Sequence, residues 1–459
     1  MSGLHILVLA PECNPEGITN PLLGYQHAEE LARHHEVTLV FHAENLEAVR
    51  RGGARFHAIE PIRLPVIDLF YYWAQRRIFK NDYGRMSLTA ASYPRHVLFE
   101  LRAWWQLRRR IRSGDFDVVL RILPYISVLP SPFAWLLRNG PIPFVIGPVS
   151  GGLPWTKGFR QLERQQQAPG HWIWSLRAMA RHVPFARSTY AHATAIIAGT
   201  SYTYSEFAKY REKLFLVPTE IGVNPALFKE LPPRPSRGGK LEVMFVGRLI
   251  PFKACDIALR GAAQLLRAGG AHFTIVGDGP ERESLQNLTK SLGIKDAVSF
   301  IGWLPHQETL RQLQKADVMV FPSLREIGGG VVFEALSVGT VPVVADFGGP
   351  GDVVNPEVGY KISMSNEDDM ILEIESVLRT LAQDRNQLNS LSERGVAYVR
   401  EHLTWERKVR VMTDILLWAT GRGPKPKLQP PDRVTTSVGR HYLRTADTVE
   451  AISRDIING

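Results

Sequence analysis

Short apolar runs alternate with stretches of helical spacing along this chain, and the alternation occurs twice. Leu4–Ala10, closed by Pro11, is a buried-strand signal. Leu22–Arg33 has helical spacing, and Glu36–Phe41 reads as the next strand. Strands resume at Asp117–Leu120, Pro143–Ile146, Ala195–Ala198 and Leu214–Val217. Residues 229–239, KELPPRPSRGG, are too rich in Pro, Gly and Arg to enter a core and read as a linker. A second alternation follows, with strands at Leu241–Val246, His272–Val276, Val298–Ile301, Val318–Phe321 and Val341–Ala345. Helices are expected near 256–267, 281–291, 308–315 and 330–338. Such alternation folds as a parallel sheet covered on both faces, so the expected class is α/β with two doubly wound domains, 1–228 and 240–403. Residues 404–420 read as a closing helix. From Gly421 the chain is polar and proline-bearing, expected as a partly disordered tail with one short helix near 445–456.

A length of 459 residues suits two or three domains. An apolar fraction of 44% with 22% charged residues excludes a disordered chain, a collagen and a coiled-coil rod. Cys13 and Cys255 are the only cysteines, which excludes a disulfide framework and a Cys-rich zinc site and suits a reducing compartment. No apolar run reaches the roughly 18–20 residues of a membrane-spanning helix. The first ten residues lack a signal-peptide pattern, so a cytoplasmic protein is expected.

The glycine triplet after the strand ending at Phe321 is the strongest chemical signal. It lies in Pro322-Ser-Leu-Arg-Glu326-Ile-Gly328-Gly329-Gly330-Val331-Val-Phe-Glu334 and leads into a helix. Backbone N–H groups at such a turn, with the positive end of the helix dipole, suit a phosphate. Glu326 and Glu334 flank it, and two carboxylates there can accept hydrogen bonds from sugar and ribose hydroxyls. Asp115-Phe-Asp117 has the form of a metal-binding Asp-x-Asp, but it leads into a strand without a third ligand at usable spacing, so no metal is expected. His27 and His192 are expected as ordinary helix-surface histidines.

This segment resembles the Glu-x7-Glu signature of family 4 glycosyltransferases, and further segments resemble the family in order and spacing. They are Val217-Pro-Thr-Glu-Ile-Gly222-Val-Asn224, Val246-Gly247-Arg248-Leu-Ile-Pro-Phe-Lys253, Ile275-Val-Gly277-Asp-Gly-Pro280, Phe300-Ile-Gly302-Trp303-Leu304 and Gly348-Gly-Pro-Gly-Asp352. The resemblance implies the two-domain GT-B fold, with the first domain holding an acceptor and the second a nucleotide-sugar. It implies transfer of a sugar to an acceptor hydroxyl with retention of configuration, with no metal and no cofactor. Arg248 and Lys253 would neutralise the leaving diphosphate, Glu326 would hold sugar hydroxyls and Glu334 the ribose. Gly328–Val331 would contact sugar or phosphate through backbone amides. The base would rest against the loops after Gly277 and Gly302, including Trp303 and Leu304. UDP is the default nucleotide.

The first domain departs from the family. Pro15-Glu16-Gly17 stands where a Gly-Gly pair is usual, so Glu16 replaces one glycine while Gly17 still lets the backbone approach the donor. Ile146-Gly-Pro-Val-Ser150-Gly151-Gly152 resembles the Gly-Pro-x-Gly-Gly-Gly loop of one branch. Many members carry a histidine at this strand end. Here there is none, and the backbone of Ser150–Gly152 is expected in its place on the acceptor and sugar side. These departures keep two other readings open: a non-catalytic nucleotide-sugar-binding subunit of a larger synthase, or another GT-B enzyme such as a nucleotide-sugar epimerase or a phosphorylase.

The formal net charge of +10 is localised. Residues 66–113 hold ten Lys/Arg against three acids, together with ten aromatics, and 153–190 hold six basic residues against Glu163. A basic aromatic helical block suits an anionic membrane surface or a lipid-phosphate acceptor. No nucleic-acid-binding module is recognisable, and nucleic acid is not an expected partner. The acceptor is expected to be lipid-linked, a polysaccharide or a small molecule.

Overall fold

The computed structural model describes residues 3–77, 86–127, 129–159, 184–228 and 239–428. The linker residues before Gly239 and the helix expected near 445–456 lie outside them. Two parallel sheets organise the chain. The first comprises β1 (His5–Leu9), β2 (Glu36–His42), β3 (Ala58–Ile62), β4 (Val118–Arg121), β5 (Phe144–Val149), β6 (Ala195–Ala198) and β7 (Leu214–Leu216), in the order β3-β2-β1-β4-β5-β6-β7. The second comprises β8 (Leu241–Val246), β9 (Ala271–Val276), β10 (Val298–Gly302), β11 (Val318–Phe321), β12 (Val341–Ala345) and β13 (Tyr360–Ile362), ordered β10-β9-β8-β11-β12-β13. These are the two doubly wound domains that the alternation implied.

Strand β1 shows why its sequence is apolar throughout rather than alternating. Ile6 and Val8 point into one core with Leu39, Leu120, Val409 and Met412. Leu7 and Leu9 point into another with Val40, Phe99, Leu107 and Phe133. Successive strand residues face opposite sides, and helices cover both. The helix Met86–Ser113 covers the second side. The first is closed by the helix Trp405–Ala419, capped by Thr404 and arriving from the far end of the chain. Strands β3 and β13 are edge strands without a sequence signal. β3 is half-buried with a proline, and β13 has three residues.

Two boundaries differ from the sequence reading. Phe159, downstream of β5, is buried in the core of the second domain beside Leu249 and Phe273, so the segment after Ser150 crosses over. The beginning of the polar tail is held on the first domain. The Leu216 N–H donates to Leu428 O at 2.9 Å, and Arg422 pairs with Asp117.

In each sheet the strand order reverses at one point, between β1 and β4 and between β8 and β11. Ligands of open parallel sheets bind outside the C-terminal strand ends at such points. Those ends face one another here. Arg325, after β11, donates to Leu153 O after β5 at 3.1 Å, and Ser201, after β6, donates to Asp352 after β12 at 2.7 Å.

Candidate active site

Lys253 ends the 3-10 turn Pro251–Lys253, which follows β8, and Glu326 lies in the loop after β11. The two strands are neighbours, so residues 73 positions apart meet as an ion pair. Their side chains are only 12% and 18% exposed, and the Lys253 ammonium lies 4.9 Å from the Phe321 ring centre. Burial of this kind strengthens the pair and raises the cost of leaving either charge alone. The other Glu326 oxygen accepts the Gly329 N–H at 3.2 Å, which orders the turn.

Gly329 has φ 66 and caps the helix Gly330–Ser337. A side chain there would begin 2.8 Å from the Pro350 ring, so both the backbone conformation and the space require glycine. Gly328, Gly330 and Val331 adjoin Ile221 and the helix start. Gly277 follows β9 with φ 135, and a Cβ there would lie 1.9 Å from Gly247 O. Gly302, Trp303 and Leu304 follow β10, and Trp303 is 75% exposed. Arg248 is exposed, with no hydrogen bond or ion pair among the described residues.

Glu334 points from the helix Gly330–Ser337 to His306, whose Nε2 lies 2.9 Å from its Oε1. Glu334 raises the His306 pKa by hydrogen bonding, against the lowering effect of burial. His306 has no motif to reveal it and was missed by sequence reasoning.

On the first-domain side, Ser150 is buried and its Oγ donates to Glu220 Oε2 at 3.3 Å; Gly151 and Gly152 adjoin it. Sequence patterns show Glu220 only as part of a turn and give no reason to single out Lys408. Both are buried, and burial raises the Glu220 pKa and lowers that of Lys408 to about 8. Gly17 is half-buried in the loop after β1. Glu16 is held by Arg51 at 2.7 and 3.0 Å, a surface ion pair on the first domain.

His27 is corrected from a surface position. It is fully buried, its Nδ1 donates to Leu23 O at 2.9 Å, and its ring packs on Trp405. Burial pushes its pKa down to about 3, so it is neutral. His192 is exposed at the end of the helix Ala186–His192. Asp115 and Asp117 serve local structure: Asp115 accepts from Ser113 and Arg110, and Asp117 accepts the His5 N–H. His5, Glu36 and His57 cluster at the N-terminal strand edges, the end of the sheet away from the cleft. A cavity of about 520 Å³ lined by Phe116, Asp117, Arg138, His192 and Arg422 lies at that end too.

Two facing doubly wound sheets with a charged cleft between their C-terminal strand ends constitute the GT-B fold. The UDP complex of HepE from Anabaena has it, matching at TM-score 0.59 and 15% identity over 90% of this chain and 99% of that one. Residues 229–395, within the second half of the chain, match the family "Glycosyl transferases group 1". An uncharacterized glycosyltransferase of Methanocaldococcus jannaschii is 35% identical over 138 residues, 30% of this chain and 35% of that protein. A GDP-mannose-dependent alpha-(1-6)-phosphatidylinositol monomannoside mannosyltransferase of Mycobacterium tuberculosis is 27% identical over 54% of this chain and 67% of that protein. The chain spans only about a third to a half of the length of several such relatives.

Among the described residues no helix is long and apolar enough to cross a membrane. The basic aromatic block forms the helices Pro65–Arg77 and Met86–Ser113, joined by Arg95, which pairs with Asp68 at 2.8 Å and with Glu44 at 2.9 Å. Val66, Leu69, Phe70, Trp73 and Trp105 remain exposed, and Arg102 and Arg108 lie over the Trp105 ring.

Proposed function

We propose that this chain is a family 4 retaining glycosyltransferase that moves a sugar from a nucleotide-sugar, UDP-linked by default, to an acceptor hydroxyl. The observation that carries the reading is the Lys253–Glu326 pair seated against the Gly328–Gly330 turn. On this reading the donor diphosphate displaces Glu326 from Lys253, and Lys253 with exposed Arg248 neutralises the charge that develops on the departing phosphate. That charge stabilisation makes the reaction independent of a metal ion. Glu326, once released, accepts from sugar hydroxyls, and Glu334 from the ribose. Closure of the domains excludes water and limits hydrolysis. The UDP bound in the HepE structure supports the default nucleotide.

The test is thermal unfolding with UDP, GDP, ADP and their sugar conjugates, on wild type and Lys253→Ala. A ligand at about 100 times its Kd adds roughly 2.7 kcal/mol. One nucleotide shifting the wild type, with the shift lost in the variant, supports the reading; no shift from any nucleotide refutes it.

The acceptor reading is a lipid-linked or polysaccharide substrate met at a membrane surface. The exposed Phe70–Trp73 face and the arginines around Trp105 support it. Sedimentation with vesicles containing phosphatidylglycerol, compared with Phe70→Ala/Trp73→Ala, tests it; equal sedimentation of both proteins counts against it.

A further inference from the structure

Glu220 stands where three walls of the cleft meet. It lies between β7 and the second domain, after Thr219, whose φ of 56 turns the chain sharply. One carboxyl oxygen receives the Ser150 hydroxyl of the loop after β5. The other lies 3.9 Å from where a side chain would begin at Gly328, in the donor turn of the second domain. Gly199, after β6, keeps the meeting point open, because a Cβ there would lie 2.2 Å from Ser150 Oγ and 3.5 Å from Glu220 Oε2. Lys408 from the returning helix fixes the turn beneath, donating to Pro218 O at 3.0 Å and Thr219 O at 2.7 Å.

An acid in such a place is costly. Glu220 is 6% exposed, and a buried carboxyl without partners destabilises the fold. Packing alone would be served by an apolar side chain. What the carboxyl adds is a negative charge facing buried Lys408 and a hydrogen bond from Ser150 in the first domain, held beside the Gly328 turn of the second. The same loop and turn touch again where Arg325 donates to Leu153 O. Ser150 is the one polar side chain in Ser150–Leu153, and its hydroxyl is directed to Glu220.

We propose that Glu220 is a positioning residue for sugar transfer: acting through Ser150 and the Gly328 turn, it sets the separation of the two domain loops that a bound nucleotide-sugar spans. The inference rests on the glycosyltransferase reading above. It concerns the chemical step rather than nucleotide affinity, because Lys253, Arg248 and Glu334 belong to other segments.

The experiment measures release of nucleoside diphosphate from UDP-glucose, UDP-N-acetylglucosamine and GDP-mannose, with water as acceptor, alongside UDP affinity by calorimetry. In this reaction the bond between the anomeric carbon and the phosphate oxygen breaks, the diphosphate leaves with the bonding electron pair, and water oxygen bonds to that carbon and releases one proton to solvent. Ser150→Ala and Glu220→Ala are each expected to lower kcat about tenfold with UDP affinity within about twofold of wild type. Glu220→Gln, which still accepts from Ser150, is expected to recover most of the loss. The double alanine variant is expected to be no worse than the poorer single one, because both remove one link. Wild-type rates in the variants, additive losses, or losses confined to KM overturn the inference while leaving the glycosyltransferase reading intact. A wild type that neither binds nor cleaves any donor overturns both. Ser150→Ala removes only a hydroxyl, so it carries the test if Glu220→Ala does not fold.

Discussion

Asp352 Oδ2 accepts the backbone N–H of Ser201 at 2.7 Å, a part-buried hydrogen bond that joins the second domain to the first. Burial raises the Asp352 pKa to about 6, against the lowering effects of Ser201 and Lys361. An acid whose folded pKa lies above its unfolded value, about 3.9, holds its proton more tightly when folded. Its contribution is complete below the unfolded pKa and is lost as pH rises through the folded one. Asp352→Asn keeps the acceptor and removes the titration. Urea unfolding at about pH 4.5 and about pH 7 is therefore expected to show the variant retaining roughly 2 kcal/mol that wild type loses. Parallel pH dependence in both proteins would falsify this assignment.

Lys253 and Glu326 neutralise one another, so each single variant leaves a largely buried charge alone. Lys253→Ala is expected to abolish nucleotide-induced stabilisation. Glu326→Gln is expected to keep it and to lower turnover about 10²–10³-fold, the loss typical of one stabilising group at a transition state. Calorimetry with UDP and steady-state kinetics separate the two outcomes.

His306 raises a pH question at the ribose side. Glu334 holds its pKa up, so the pair is charged at low pH and weakens as pH rises through the raised value. Its stabilisation is complete below the unfolded histidine pKa and fades above the folded one. While the pair lasts it occupies the Glu334 carboxylate. UDP affinity is expected to rise with pH across this range in wild type and to be flatter in His306→Ala. Calorimetric titrations at several pH values check this; equal slopes in the two proteins would count against competition for Glu334.

Gly277 is a steric requirement. Its φ is 135, and a Cβ would stand 1.9 Å from Gly247 O, which leaves no room for a methyl group. Gly277→Ala is expected to cost about 1–3 kcal/mol in stability through backbone strain and to weaken nucleotide binding with it. Thermal unfolding with and without UDP measures both.

The strands of both sheets were legible because burial on two faces leaves an uninterrupted apolar run, as at Leu4–Ala10 and Val341–Ala345. β3 and β13 were not, because β3 is half-buried and interrupted by a proline and β13 has only three residues. Lys253, Glu326 and Glu334 were legible from their motifs, whose glycines and charges lie close together in the chain. His306, Lys408 and the pairing of Glu220 with Ser150 were not. Their partners are 28, 189 and 70 positions away, and no local pattern encodes such distances. His27 was misjudged for a related reason. Helical spacing shows which face it shares, but its burial comes from Trp405, in a helix packed from the opposite end of the chain.

The sequence by itself determined the class of fold, the division into two strand–helix alternations and the position of the phosphate-suited turn, because these follow from local periodicity and from glycine's backbone. The tertiary structure alone decided that Lys253 faces Glu326, that Ser150 meets Glu220, and that Asp352 ties the domains together. Parallel strands need long crossovers, so residues that end neighbouring strands are distant in sequence. Their charges and hydrogen bonds acquire partners only once the sheets have formed and their C-terminal edges face one another.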